Sequence, residues 1–159
     1  MKTLVVYDTL FGNTGLLARV IANRLPDVTL VHVDSLTLEH IANAELIFLG
    51  SPSRGYNATK KLRSAIEALP KNALKQKSAA VFETRLKVAK HMPRILRYLL
   101  QNTGWGDAKL DTVVLRKGAK LISPLGLFYV TTQEGPLKEG ETDNAARWAK
   151  QIHAYVSSH

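Results

Sequence analysis

A chain of 159 residues, 45% hydrophobic and 22% charged, has the size and composition of one globular domain, here taken as residues 1–159, with a sizeable core. It has no cysteine, which excludes disulfides, thiolate metal sites and thiol chemistry, and no stretch approaches the roughly 20 apolar residues that span a bilayer. The net charge of +9 leaves four explanations open: nucleic acid, an anionic membrane, an acidic protein partner, or a lysine-rich solvated face.

The first strand pattern begins at once, without an apolar leader, so the expectation is a soluble, unexported, cytoplasmic protein with no transmembrane segment. In chain order, short apolar runs at Leu4–Tyr7, Val28–Val33, Leu46–Leu49, Ala79–Phe82 and Phe128–Thr131 predict five strands. Helical patterns lie between and after them, at Gly15–Leu25, Leu38–Ala42, Thr59–Leu69, His91–Asn102 and Glu141–Ser157. Near-continuous apolar strands alternating with helices predict βαβ units, and hence an α/β fold: a doubly wound parallel sheet covered on both faces. Gly104–Lys120 fits either a helix ending at Gly118, which suits a C′ position, or an added strand; the helix is the expectation. Phe128 and Trp148 read as core.

In such sheets, ligands bind beyond the carboxyl ends of the strands. After the first strand comes Thr9-Leu10-Phe11-Gly12-Asn13-Thr14, and then a helix. The loop is neither GxxxxGK[ST] nor GxGxxG, so it matches neither a nucleoside triphosphate loop nor a dinucleotide loop. What remains is a phosphate cradle of hydroxyls and backbone N–H groups with no cation, suited to a bound monophosphate rather than to a triphosphate with magnesium. No metal-ligand set and no catalytic side chain is assigned.

The pattern Val5-Val6-Tyr7-x-Thr9-x-x-Gly12-x-Thr14-x-x-x-Ala18-x-x-Ile21 resembles the flavodoxin signature at every specified position. Three further stretches agree: "LIFLGSPSRGYNAT", "VFETRL" and "EGPLKEGE" look like the third strand with its loop, the fourth strand with its loop, and the run before the last helix. The resemblance covers most of the chain and is weakest from about Lys87 to Lys120. It implies a five-stranded flavodoxin-like sheet in the order 2-1-3-4-5, with FMN as cofactor. Thr9 and Thr14, with the amides of Leu10 to Thr14, would hold the phosphate, and Asn13 would cap the helix or donate to the ligand. Ser51, Pro52, Ser53, Arg54, Gly55 and Tyr56 would pass the flavin ring. Arg54-Gly55 stands where flavodoxins flip a peptide on reduction, a change that glycine tolerates, and Tyr56 is the aromatic placed to stack. Glu83, Thr84, Arg85 and Leu86 form the second ring-facing loop. The family usually has an aromatic there, whereas this chain offers only Leu86 and then His91 and Met92, which implies a more open flavin.

From Lys60 to Lys120 the chain has 15 of its 22 Lys and Arg but only 4 of its 13 Asp and Glu, a local balance of 15 − 4 = +11. Flavodoxins are typically acidic, so this chain departs from them. Arg85, Lys87, Lys90, Arg94 and Arg97 are expected near the ring's exposed edge, favouring an acidic redox partner and a stabilised reduced anion. The leading expectation is a monomeric electron carrier whose FMN cycles through a semiquinone. The alternatives are an FMN enzyme, such as a quinone reductase or protoporphyrinogen oxidase, with His91 and Arg85 as polar contacts, and a flavin-free binding module. Nucleic acid is the weakest option, because no aromatics interleave with the basic run.

Overall fold

In the first strand, β1 (Thr3–Tyr7), Leu4 and Val6 pack on one side of the sheet and Val5 on the other, and all three are buried. That is the pattern of a strand covered on both faces. The computed structural model of the chain describes residues 1–53, 57–87, 93–95 and 108–159. Most of the helix expected at His91–Asn102 lies outside them, as does Trp105.

Strands β2 (Val28–His32), β3 (Leu46–Pro52) and β4 (Ser78–Leu86) join β1 in a parallel sheet ordered β2-β1-β3-β4. Two short strands share the fifth position. β5 (Lys120–Leu121) pairs with Ser78 and Ala79 at the start of β4, and β6 (Gly126–Val130) with Phe82 to Leu86 at its end. The expected order holds, but its last strand is broken over residues 122–125. Pro124 has no N–H to give a ladder, and its carbonyl is held outside the sheet by the Trp148 indole N–H at 3.0 Å.

Helices α1 (Asn13–Asn23) and α5 (Glu141–Ser157) cover one face, where Phe48, Phe82 and Phe128 surround Trp148 at ring-centroid distances of 5.5, 6.1 and 5.9 Å. Edge-to-face geometry of this kind suits aromatic quadrupoles. The other face is closed by α2 (Leu38–Asn43), α3 (Lys60–Glu67) and α4 (Leu110–Arg116) through Ile41, Leu62, Ile66, Val113 and Val114. Gly118 takes the C′ position after α4 at φ +96°, as expected, and the added strand β5 follows it, so both readings of that segment are realised. No helix among the described residues is long and apolar enough to cross a membrane.

One row of the sheet sets the floor of the carboxyl edge: Tyr7, Gly50, Phe82 and Gly126 are in register across β1, β3, β4 and β6. The Phe82 ring occupies the place where a Cβ on Gly50 would stand, and a Cβ on Gly126 would lie 2.9 Å from the Phe82 Cβ. Gly50 is a glycine because the Phe82 ring needs its space, and Gly126 because Phe82 Cβ, Phe128 and Trp148 crowd it.

Candidate functional site

Beyond that row the backbone leaves the sheet through side chains that satisfy one another. The Asp8 amide donates to the Gly50 carbonyl at 2.9 Å, extending the β1–β3 ladder by one residue. The buried Asp8 carboxylate accepts the Thr9 amide at 2.9 Å and the Thr59 hydroxyl at 2.7 Å, and His32 Nε2 lies 3.7 Å away. Thr59 is also the N-cap of α3, accepting the Leu62 amide, so one hydroxyl ties the β1 exit to the start of a helix.

The loop from Thr9 to Thr14 is closed by Thr9 Oγ1, which accepts the Gly12 amide at 3.0 Å. Gly12, at φ +91°, is the N-cap of α1, which brings Asn13 and Thr14 into the helix two residues earlier than the apolar pattern indicates. Asn13 is therefore not the cap; its Nδ2 donates to the Glu134 carbonyl at 3.0 Å, clamping the loop after β6. No side chain caps α1. Among the described residues, the amides of Leu10, Phe11, Asn13, Thr14 and Gly15 have no acceptor. Unpaired donors at the positive end of a helix dipole form a donor set for an anion.

A cavity of about 300 Å³ opens here. Thr9, Leu10, Phe11, Asn13 and Thr14 line it from the first loop, Pro52 and Ser53 from the end of β3, and Thr84, Arg85 and Leu86 from the end of β4. Among the described residues no carboxylate lines it. The loops are coupled: Thr14 and Thr84 share a hydrogen bond between buried hydroxyls at 2.8 Å, and the Ser53 amide donates to the Thr84 carbonyl at 2.8 Å. The structure thus brings together the three loops read from the sequence.

Ser51 and Glu83 lie apart from the cavity lining. Ser51 is fully buried, donates to the Pro52 carbonyl and accepts the Thr59 amide, so it shapes the loop from beneath. Glu83 is buried and pairs with Arg85 at 2.5 Å, so the guanidinium on the cavity wall is neutralised, which offsets its expected contribution to a positive field. Lys87 and Arg94 are exposed. Arg54, Gly55, Tyr56, Lys90, His91, Met92 and Arg97 lie outside the described residues.

Sequence reasoning missed Val130 and Gln133, which complete the cavity from the β6 exit. A signal existed, because "TTQEGP" follows a strand at the carboxyl edge and falls under the same rule as the other loops. A second cavity, of about 250 Å³, lies beside the strand break on the other side of β4. Leu110, Leu121 and Leu125 give it an apolar wall, and Arg85 lines both cavities.

No protein-family model matches the chain, and no curated protein matches it in sequence. Solved structures do match over nearly the whole length. A flavodoxin from the domain Archaea is 19% identical, with 99% of each chain covered and a TM-score of 0.67. Oxidised flavodoxin 2 from Bacillus cereus is 17% identical, covering 98% of this chain and 99% of its own, with a TM-score of 0.69. A flavodoxin, WrbA-like protein from Agrobacterium tumefaciens is 16% identical, covering 99% and 98%, with a TM-score of 0.73.

Proposed function

We propose that this chain, which has the flavodoxin-like fold, binds FMN in the cavity at the carboxyl edge and works as a monomeric electron carrier. The observation that carries the reading is the donor set of the first loop: five amides with no acceptor among the described residues, beside the hydroxyls of Thr9 and Thr14, in a cavity whose described lining has no carboxylate. Such a site fits a phosphate dianion held without metal. Bound FMN would supply the redox chemistry, and the protein the binding, orientation and field.

Each side chain then has a physical task. Thr9 holds the loop in the shape that exposes the amides. Thr14 donates to the phosphate while Thr84 donates into Thr14, a relay that the 2.8 Å contact permits. Pro52 and Leu86 keep water from the ring, and Leu86, half-exposed and not aromatic, leaves one side more open. Glu83 fixes Arg85 beside the ring. Exposed Lys87 and Arg94, in the segment after β4, suit an acidic redox protein as partner.

The second cavity favours one competing reading, an FMN oxidoreductase with its own small substrate, because Arg85 joins that space to the cofactor site. Titration of the apoprotein with FMN and with riboflavin, followed by flavin fluorescence, tests the cofactor. Tight binding of FMN and weak binding of riboflavin supports the phosphate cradle; equal affinities refute it, and no binding to either points to a flavin-free module. Turnover of NAD(P)H with a quinone, without any partner protein, would decide for the enzyme.

A further inference from the structure

At the opposite end of the sheet two turns without acidic residues meet. Residues 68–78 contain Lys71, Lys75 and Lys77, and residues 115–121 contain Arg116, Lys117 and Lys120. The turns are joined by hydrogen bonds from the Leu74 amide to the Lys117 carbonyl at 3.1 Å and from the Lys120 amide to the Lys77 carbonyl at 2.9 Å. Gly118 sits so close that a Cβ on it would lie 3.3 Å from the Lys75 Cα. The six cations therefore share one surface.

Little of this charge is compensated. Arg116 pairs with Glu67 at 3.3 Å. Lys77 and Lys117 donate to backbone carbonyls at the ends of α2 and α3, acceptors that carry no net charge. Lys71, Lys75 and Lys120 are exposed. Glu45, whose carbonyl accepts the Ser78 amide, accepts the Lys2 amide on its carboxylate at 2.7 Å and keeps its charge, so with Glu67 it sets two acids against the six cations.

Two exposed apolar side chains flank the lysines: Leu115, 54% exposed on the last turn of α4, and Tyr155, 44% exposed with Lys120 Nζ 5.6 Å from its ring centroid. We propose that this end of the molecule docks on an anionic lipid surface. Ammonium groups around an aliphatic and a phenolic side chain match a headgroup layer, where lysines meet phosphates and Tyr and Leu reach the acyl boundary. A nucleic acid fits less well. The Tyr155 ring already stacks on His159 at 4.4 Å and has Lys120 Nζ 5.6 Å from its centroid, so a base would have to compete with both, and a duplex backbone would leave Leu115 uncovered. An acidic protein partner would require a desolvated hot spot, whereas these apolar groups are single and separated by charge.

The patch lies at the Ser78 end of β4 and the cofactor cavity at the Leu86 end, about 26 Å away along the strand at roughly 3.3 Å per residue. Docking by the patch therefore leaves the cofactor edge facing the aqueous phase.

The test is co-sedimentation of the full chain with phosphatidylcholine vesicles, with and without phosphatidylglycerol. Binding only to the anionic vesicles, lost at high salt, is the expected result. The Lys71→Ala/Lys75→Ala/Lys120→Ala variant should bind them on the order of a hundredfold more weakly, from about fivefold per lysine, with an unchanged urea midpoint. Lys87→Ala/Arg94→Ala, which removes two exposed cations of the segment after β4, should bind like the parent. Equal binding to both vesicle types, an equal loss in the Lys87/Arg94 variant, or displacement from the vesicles by a DNA duplex at matched charge concentration would each overturn the proposal.

Discussion

Removing one hydroxyl at the junction of the first and third loops should separate cofactor binding from folding. Thr14 and Thr84 are 1% and 4% exposed, with their Oγ1 atoms 2.8 Å apart. Thr14→Val keeps the shape but leaves the Thr84 hydroxyl buried and unpaired, which costs about 1–3 kcal/mol of stability. Thr84→Val should cost a similar amount for the mirror reason, yet it leaves the Thr14 hydroxyl available to a phosphate, so FMN affinity should fall only a few-fold. In Thr14→Val/Thr84→Val both polar groups are gone and the two methyl-bearing side chains pack against each other, so stability should return close to that of the parent. Affinity should not return, because the donor to the phosphate is still missing. A hydrogen bond to a charged group is worth about 1.5–3 kcal/mol, or roughly 10- to 150-fold in Kd. Urea unfolding of the apo forms at constant m gives the first quantity, and fluorescence titration with FMN the second. If affinity recovered together with stability in the double variant, Thr14 would act on the cofactor only through the fold, and its assignment to the phosphate would fail.

Other substitutions probe the rest of the site. Asp8→Asn weakens the charged acceptor shared by the Thr9 amide and the Thr59 hydroxyl and should lower urea stability by about 2 kcal/mol; a change within error would mean that the carboxylate contributes no more than an amide. Glu83→Gln removes the counter-charge of Arg85, so the reduction midpoint of the FMN-loaded protein, read by spectroelectrochemistry, should become more positive, and an unchanged midpoint would place the guanidinium out of range of the ring. Gly135→Ala puts a side chain at φ +108° with its Cβ 2.6 Å from Asn13 Oδ1, so it should break the Asn13 clamp and weaken FMN binding about tenfold. Trp148→Phe keeps an aromatic ring among Phe48, Phe82 and Phe128 but loses the bond to Pro124, and it should cost about 1 kcal/mol in urea unfolding.

Much of the fold was legible because its signals are local. α5 begins and ends at the expected residues, Glu141 and Ser157, with acidic residues in its first turn and a regular apolar stripe behind them. What the sequence hid depends on distant partners. β3 and β4 continue to Pro52 and Leu86 through Gly50, Ser51, Glu83 and Arg85, residues of low strand propensity that stay extended because the parallel ladder pairs them. β5 is two residues long, too short for any periodicity, and its partner lies more than 40 positions away in the chain. The same holds at the candidate site: the Thr9–Thr14 loop is a contiguous motif and could be read directly, whereas the bonds from Thr59 to Asp8 and from Asn13 to Glu134 join residues 51 and 121 positions apart. A polar residue immediately after an apolar strand, as Asp8 is, was the one visible hint of the first.

The interruption between β5 and β6 also bears on how these molecules behave when crowded. The outer edge of a parallel sheet presents a row of unpaired amides and carbonyls, a template on which a second chain can add a strand and begin a fibril. Here that edge is two residues, a four-residue excursion carrying Pro124, and then five residues whose outer side is already engaged at Tyr129 by the Glu141 carboxylate and the Lys138 amide, so no register allows an incoming strand to pair along the full length of β4's neighbour. The break that opens a cavity inside the molecule also blunts its edge against aggregation.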